Sequence, residues 1–399
     1  GTKDHLPTNP NRVALTRHGS MANNKPPNTT HSVTEDAPDE RFAANDVRLS
    51  PRGWLLAAAL TLLAFWLIPL AWQKIEPLNL EPDYRIPFRL GNDYWNYRRT
   101  STEVCRGDET VLVGDSVLWG HYVDSHETLS HYLNEVSGGS EFANLGVDGI
   151  HPVALAGLVE HFGGAIRNKR VVVNCNLLWM SSPRHDLSSD KESPFNHPAL
   201  VPQFAVRIPS YRASISERLG IVVARQFRFL GWADHVRIAY FGSDDLATWT
   251  LEHPHNDPLD QVTLILPSPD EPPSPEPDAR PWNEKGLRQV NPEWVPLEQS
   301  LQWRFFQQTV ESLKQRGNRV FVMIGPLNEH MLTEKGLAAY NQRKSAVAAW
   351  HEEQGIPCTV PDALPSQDYA DLSHPTAEGY ALLAEELMKE DSFRQFLAE

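Results

Sequence analysis

Residues Thr110–Ser116 read TVLVGDS, a short apolar run that ends in Gly-Asp-Ser. A run of this length, rich in β-branched residues, predicts a buried β-strand. The glycine after it permits a close turn, and the turn leaves a serine hydroxyl at the carboxyl end of the strand. Everything else in the predicted fold is organised around this first strand.

Further short apolar runs alternate with helical patterns along the chain. Strands are predicted at Phe142–Leu145, Arg170–Cys175, Arg319–Ile324 and Ile356–Val360, and helices at 125–136 behind a Ser125 cap, from Pro152, at 298–316 with Gly317 as C′ residue, at 335–353 and at 376–389. This alternation indicates a parallel sheet covered on both faces. Right-handed crossovers then give an α/β fold with a doubly wound, flavodoxin-like parallel sheet.

The remaining segments lie outside this alternation. Residues 1–52 predict a disordered tail, within which 1–20 precede Met21 and are interpreted as a remnant or leader. Residues 75–107 look like an irregular, aromatic connector, and 108–399 form one domain with a long insertion at 177–297. The insertion contains a proline-rich stretch at 267–281, which predicts an exposed loop. It follows the third strand and should therefore rise above the carboxyl edge of the sheet, where ligands bind.

One segment predicts a membrane anchor over 53–73. Its centre, 54–72 (WLLAAALTLLAFWLIPLAW), has no charged residue and a tryptophan at each end. As a helix rising ~1.5 Å per residue it spans about 30 Å, the thickness of a bilayer core. Basic residues are more frequent before it than after it (Arg41, Arg48, Arg52; Lys74, Arg85). That bias favours a cytoplasmic N-terminus and a domain in the periplasm or at the cell surface.

The composition of the chain excludes several kinds of ligand and site. The formal net charge is −15, so a phosphate backbone would be repelled and nucleic acid is not expected as a ligand. Three scattered cysteines cannot build a disulfide framework or zinc site, and Cys105 with Cys358 is the one pair left as a disulfide candidate. The chain has no metal motif, Walker loop or GxGxxG, so we predict neither a metal nor a cofactor.

Two motifs carry the predicted chemistry. Ser116 of Gly-Asp-Ser is a weak nucleophile that needs a base, and its alternative role is to cap the next helix. Asp371-Leu372-Ser373-His374-Pro375 precedes the last helix, so that the aspartate can orient the imidazole and stabilise its charged form. The alternative for His374 is a solvated loop residue.

Together the two motifs resemble the first and last conserved blocks of the SGNH/GDSL hydrolases, over residues 108–176 and 298–390. The resemblance implies the SGNH fold, with Ser116 as nucleophile, His374 as general base and Asp371 as its partner. It also implies an oxyanion hole made by the backbone N–H groups of Ser116 and Gly149. The third block departs from the family pattern, which leaves Asn176, or alternatively Asn174, as the side-chain donor. The glycines of 144–149 could equally serve only to make a tight turn.

Five other residues are weaker candidates for the pocket: Asp115, Trp119, His121, Asn328 and His330. For the last two, surface loop positions are the competing interpretation.

The expected reaction is acyl transfer from an ester through an acyl-serine. We expect an esterase that removes acyl groups, acetyl above all, from a carbohydrate. The first alternative is an O-acyltransferase that modifies a cell-surface polysaccharide with a polytopic membrane acyl-donor partner. The second is a binding or scaffold protein without turnover, which would need neither motif.

Overall fold

The computed structural model describes residues 49–80, 83–191 and 195–398. Five strands form one sheet in which every pairing is parallel. In space the strands lie in the order β2-β1-β3-β4-β5. Their bounds are β1 Thr110–Val113, β2 Phe142–Asn144, β3 Arg170–Cys175, β4 Arg319–Ile324 and β5 Cys358–Thr359.

Helices occupy much of the rest of the described chain. Their bounds are α1 Pro51–Ile75, α2 Tyr94–Val104, α3 Ser116–Trp119, α4 Leu129–Ser137, α5 Pro152–His161, α6 Ile215–Gln226, α7 Arg228–Phe241, α8 Leu246–Glu252, α9 Pro258–Gln261, α10 Leu301–Gln315, α11 Glu334–Glu353, α12 Ala377–Lys389 and α13 Asp391–Ala398. Residues 56–399 belong to one compact unit.

The sheet is buried on both faces, as its strand sequences require. Successive side chains of a strand point to opposite faces, so Val111 and Val113 pack into one core and Leu112 into another. Helices α5, α10 and α11 cover the first face, and α4, α12 and α13 cover the second. Burying each aliphatic side chain stabilises the fold by roughly 1.5–3 kcal/mol. The α/β class and the all-parallel sheet predicted from the sequence are confirmed.

The strand order places a crevice at the carboxyl end of β1. From β1 the chain crosses to β2, on one side of β1, and from β2 it returns to β3, on the other side of β1. The connection that leaves β1 and the connection that leaves β3 therefore run in opposite directions across the sheet. Ligands of doubly wound sheets bind at such a reversal. Ser116 lies three residues after the end of β1, and Asn176 directly follows β3.

Several element boundaries differ from the prediction. The connector predicted as irregular contains the helix α2, whose buried face includes the polar residues Asn96, Thr100 and Ser101, so no apolar periodicity marks it. Helix α4 is capped by Thr128 rather than by Ser125. Strand β5 pairs with β4 over two residues only. The last helix is followed by α13, which we did not predict, and the insertion contains α6 to α9.

Helix α1 covers the predicted membrane anchor. Within the described chain it is the one helix long and apolar enough to cross a bilayer, with a mean hydropathy of 2.2. Its apolar side chains are mostly exposed; Leu62, for example, is 67% exposed. The tail at 1–48 lies outside the described residues. Cys105, Cys175 and Cys358 are all free thiols, so the candidate disulfide between Cys105 and Cys358 is not formed.

Candidate active site

Ser116 is the first residue of the short helix α3, at the carboxyl end of β1. The side chain of Asp115 caps this helix by accepting a hydrogen bond from the Val117 N–H at 3.0 Å. A Cβ at Gly114 would lie 2.3 Å from Oδ1 of Asn174 and 2.9 Å from Cδ1 of Leu118, so a larger residue would displace these side chains. The Gly-Asp-Ser sequence therefore sets both the bend of the chain and the position of the hydroxyl.

A tight turn positions His374. Oδ1 of Asp371 accepts the backbone N–H groups of Ser373 at 2.8 Å and His374 at 2.9 Å. The turn is also tied to the segment after β4, because Asn328 donates its backbone N–H to the Leu372 carbonyl and its side-chain amide to the Asp371 carbonyl. The imidazole is thus fixed from two directions.

The structure brings Ser116, His374 and Asp371 together. Nδ1 of His374 lies 2.8 Å and 2.9 Å from the two carboxylate oxygens of Asp371. Nε2 of the same ring lies 2.8 Å from Oγ of Ser116. With the proton on Nδ1, the ring donates to the carboxylate and Nε2 accepts the serine hydroxyl. A hydroxyl, an imidazole and a carboxylate are therefore linked in one chain of hydrogen bonds, an arrangement that is able to activate a serine as a nucleophile.

The electrostatics of the pair favour its charged form. Burial alone would lower the pKa of His374, but the charge and hydrogen bond of Asp371 raise it above 6.5, with help from the charges of Asp115 and Asp148. Burial would raise the pKa of Asp371, yet the charge and hydrogen bonds of His374 hold it well below its usual range. An imidazolium formed during reaction is stabilised by this arrangement.

Two backbone donors of the predicted oxyanion hole are unoccupied. Within the described chain, neither the Ser116 nor the Gly149 N–H donates a hydrogen bond. Gly149 has a φ of +68°, a left-handed conformation that favours glycine. A substrate carbonyl oxygen beside Ser116 could accept from the serine N–H.

The two candidate asparagines both contact Asp115. Asn176 donates from Nδ2 to Oδ2 of Asp115 at 2.8 Å, which leaves its second N–H without a partner among the described residues. Asn174 accepts the Asp115 N–H at 3.3 Å, and its own Nδ2 is buried without a partner in the described chain. Both side chains retain a donor.

Asp115 has a structural role beneath Ser116, where it connects two turns. Its Oδ2 accepts from Nε1 of Trp179 at 2.7 Å as well as from Asn176. Burial raises the pKa of Asp115, and these hydrogen bonds oppose the shift. The carboxylate thereby joins the turn after β1 to the turn after β3.

The other predicted pocket residues lie farther from Ser116. Trp119 is buried, donates to the Ile86 carbonyl at 2.6 Å and packs under the guanidinium of Arg85. Asn328 is fully buried and braces the Asp371 turn. His330 is exposed and bonds to the Leu364 carbonyl at 3.0 Å. None of the three has a described contact with the Ser116–His374 pair.

Two further groups stand beside His374. The Tyr122 hydroxyl donates to Oδ2 of Asp371 at 3.1 Å. His121 pairs through Nδ1 with Asp148 at 2.8 Å, and its ring centroid is 5.5 Å from that of His374. His121 was predicted from its closeness to Ser116 in the chain. Tyr122, after α3, and Asp148, between β2 and α5, belong to no motif that would have predicted their place beside His374.

Among the described residues no cluster of three or more His, Cys, Asp or Glu side chains could hold a metal ion. In comparisons with known proteins, no family model matches the chain and no curated protein gives a significant match. Any functional conclusion therefore depends on the geometry around Ser116.

Proposed function

We propose that the chain is a membrane-anchored serine esterase of the SGNH type, which cleaves acyl esters, acetyl esters above all, on a carbohydrate. One observation carries the proposal: Nε2 of His374 lies 2.8 Å from Oγ of Ser116 while Nδ1 contacts Asp371. These residues are 258 positions apart in the chain. A merely structural serine at a helix start would need no such partner.

The first half-reaction forms an acyl-serine. Oγ of Ser116 attacks the ester carbonyl carbon as its proton passes to Nε2 of His374, and Asp371 stabilises the imidazolium. The carbonyl oxygen becomes an oxyanion that accepts from the Ser116 N–H, with Gly149 and Asn176 as further donors. The C–O bond to the alcohol then breaks, and Nε2 returns the proton to the departing oxygen.

The second half-reaction releases the acid. A water molecule donates its proton to Nε2 of His374 and attacks the acyl carbon, passing through an oxyanion at the same donors. The bond to Oγ breaks, and Ser116 takes back the proton. The raised pKa of His374 suits a base that must hold this proton between the steps.

The strand order supports an SGNH-type fold. The order β2-β1-β3-β4-β5 is that of flavodoxin-like doubly wound sheets. The nucleophile follows β1 and the His-Asp turn precedes α12, as the resemblance implies.

The surroundings of Ser116 suit a polar ester. The rings of His121 and Tyr122 pack beside His374, and Trp179 bonds to Asp115, the neighbour of Ser116. Aromatic and polar side chains of this kind suit the ring and hydroxyl groups of a sugar better than they suit a long alkyl chain.

Ester hydrolysis tests the proposal directly. The full chain in detergent should hydrolyse p-nitrophenyl acetate, and Ser116→Ala should abolish this activity. Ser130→Ala, a buried serine of α4, is the matched control and should retain it. Equal rates for wild type and Ser116→Ala would remove Ser116 from its role.

An O-acyltransferase is the second candidate. The His121–Asp148 pair beside His374 favours it, because a second imidazole could bind a neighbouring hydroxyl of a sugar acceptor while His374 takes the proton of the attacking hydroxyl and returns it to Ser116. An oligosaccharide acceptor added to the esterase assay, with a polytopic acyl-donor protein co-expressed, separates the two. Acylated oligosaccharide detected by mass spectrometry would favour transfer, and free acid alone would favour hydrolysis.

The proposed location rests on α1. Its length and apolarity support an anchor, and the basic residues before it support a cytoplasmic N-terminus. Alkaline phosphatase fused after Glu399 should be active outside the cytoplasm. An inactive fusion, with fluorescence from a cytosolic reporter at the same position, would reverse the topology.

A further inference from the structure

Helix α6 in the insertion carries an exposed apolar stripe. Ile215, Leu219 and Val223 follow one another at intervals of four residues and are 72%, 51% and 44% exposed, and Phe227 continues the row at 60%. Residues at this spacing lie on one side of a helix. The helix is well formed, with a capping box between Ser214 and Glu217. A contiguous apolar patch of this kind marks an interaction surface.

The stripe leads directly to α1. Helix α7 begins one residue after Phe227, and its Phe229 ring stacks on Phe65 of α1 with centroids 4.1 Å apart. One turn later Trp232 packs against Trp72 at 5.5 Å. The corner between α6 and α7 therefore lies against the apolar part of α1.

The depth of this corner follows from helix geometry. Phe65 precedes Trp72 by seven residues, which is about 10 Å along a helix. Trp72 stands at the end of the apolar segment, where the membrane interface is expected. Phe229, stacked on Phe65, would thus lie roughly 10 Å inside that level, the depth reached by interfacial amphipathic helices.

Buried charges hold α7 in this position. His235 of α7 bonds through Nε2 to Glu76 at 2.9 Å and through Nδ1 to Asp93 at 2.5 Å. Glu76 directly follows α1, and Asp93 caps α2. Since Arg99 and Tyr240 also bind Glu76, the residue after α1 is fixed to the middle and the end of α7.

The charge of this region differs from that of the whole chain. Residues 212–237 contain five arginines and two acidic residues, which is a balance of +3 within a chain of −15. Positive charges beside a bilayer attract anionic headgroups, and Arg218 and Arg225 also hold the insertion together through backbone carbonyl groups. An acidic protein could also bind this positive charge. It would not explain why the corner between α6 and α7 contacts α1.

We propose that one apolar face of the insertion lies in the lipid leaflet next to the catalytic domain, so that the domain is held against the bilayer in a single orientation. This face, called the α6 face, consists of Ile215, Leu219 and Val223 of α6 and of Phe227, which directly follows the helix. Its occupant is lipid, with anionic headgroups around the arginines. The inference rests on the membrane crossing of α1 within the proposed function.

Depth measurement by electron paramagnetic resonance tests the inference. A nitroxide is attached to Leu219→Cys or Phe227→Cys in the full chain, reconstituted in phosphatidylcholine–phosphatidylglycerol vesicles. Both labels should collide more with oxygen and less with a water-soluble nickel complex than a label at Leu382→Cys, an exposed leucine of α12. The chain without an added cysteine gives the background of the native thiols.

A label at Leu62→Cys separates the possible failures. If the Leu62 label is in lipid and the α6 labels meet the nickel complex as Leu382 does, the α6 face is in water and the inference alone is wrong. Labels on α6 shielded from both reagents would show a protein cover, such as a second copy, and would also overturn it. If the Leu62 label itself is in water, both the anchor and the inference fail.

Discussion

The change of Asp371 to asparagine should remove most catalysis without unfolding the site. In the structure Oδ1 of Asp371 accepts two backbone N–H groups at 2.8 Å and 2.9 Å, while Oδ2 lies 2.9 Å from Nδ1 of His374. An asparagine oxygen can keep both backbone bonds, so the turn should survive. Its NH₂ group then occupies the place of Oδ2 and donates toward Nδ1.

That donor competes for Nδ1 of His374 with the asparagine oxygen, which keeps the place of Oδ1 at 2.8 Å from Nδ1. When Nδ1 accepts from the NH₂ group, the ring proton lies on Nε2, and Nε2 can no longer take the proton of Ser116 at 2.8 Å. The corresponding change in a well-studied Ser-His-Asp triad lowers kcat by about 10⁴. A loss of that size corresponds to roughly 5.5 kcal/mol of transition-state stabilisation.

Hydrolysis of p-nitrophenyl acetate by the full chain, followed from pH 5 to pH 9, measures the effect. Asp368→Asn is the matched control, because Asp368 is also buried and lies six residues before His374 but outside the triad. A tenfold loss or less in Asp371→Asn, or an equal loss in both variants, would refute the assigned role of Asp371.

The other predictions concern the pH dependence of activity, the stabilising role of His235 and the hydrogen bond from Trp179 to Asp115. The neutral imidazole of His374 is the base, and its pKa is raised above 6.5, so kcat/KM should fall as pH drops through that pKa. In Asp371→Asn the midpoint of this fall should move to lower pH. An unmoved midpoint would count against His374 as the base that Asp371 assists. Replacing His235 by glutamine should cost about 3–5 kcal/mol in urea unfolding, since a buried carboxylate loses its partner, whereas the exposed His330→Gln should be near neutral. Burial would lower the pKa of His235, but the charges and hydrogen bonds of Asp93 and Glu76 raise it to about 9, so its stabilisation is complete below pH 6.5 and is lost as pH rises through 9. A constant difference in unfolding free energy across that range would contradict the ion pair. Trp179→Phe removes one hydrogen bond to a buried carboxylate and should cost about 1.5–3 kcal/mol in unfolding; an unchanged urea midpoint would show that the bond does not matter.

The sheet could be predicted because its strands are continuous apolar runs. Arg170–Cys175 and Arg319–Ile324 are found with the predicted bounds, since a strand buried on both faces leaves no place for polar residues. Helix α2 was missed for the opposite reason: its buried face includes asparagine, threonine and serine. Periodicity of apolar residues cannot detect a helix of that kind.

The site residues also fall into two groups, those that the sequence could predict and those that it could not. The motifs at Ser116 and His374 carry their chemistry in short local sequences, so both positions could be named in advance. Tyr122 and Trp179 reach the site only because the turns after β1 and β3 bring them to Asp371 and Asp115. A contact made by folding across such distances leaves no local pattern in the chain.

Direct labelling of the nucleophile tests the central claim. The full chain is treated with a fluorophosphonate, digested, and mapped by mass spectrometry. We predict one modified residue, Ser116, with labelling lost in Ser116→Ala and strongly slowed in His374→Ala, because Nε2 of His374 must accept the serine proton. Modification of a different serine, or no modification of the folded wild type, would contradict the account.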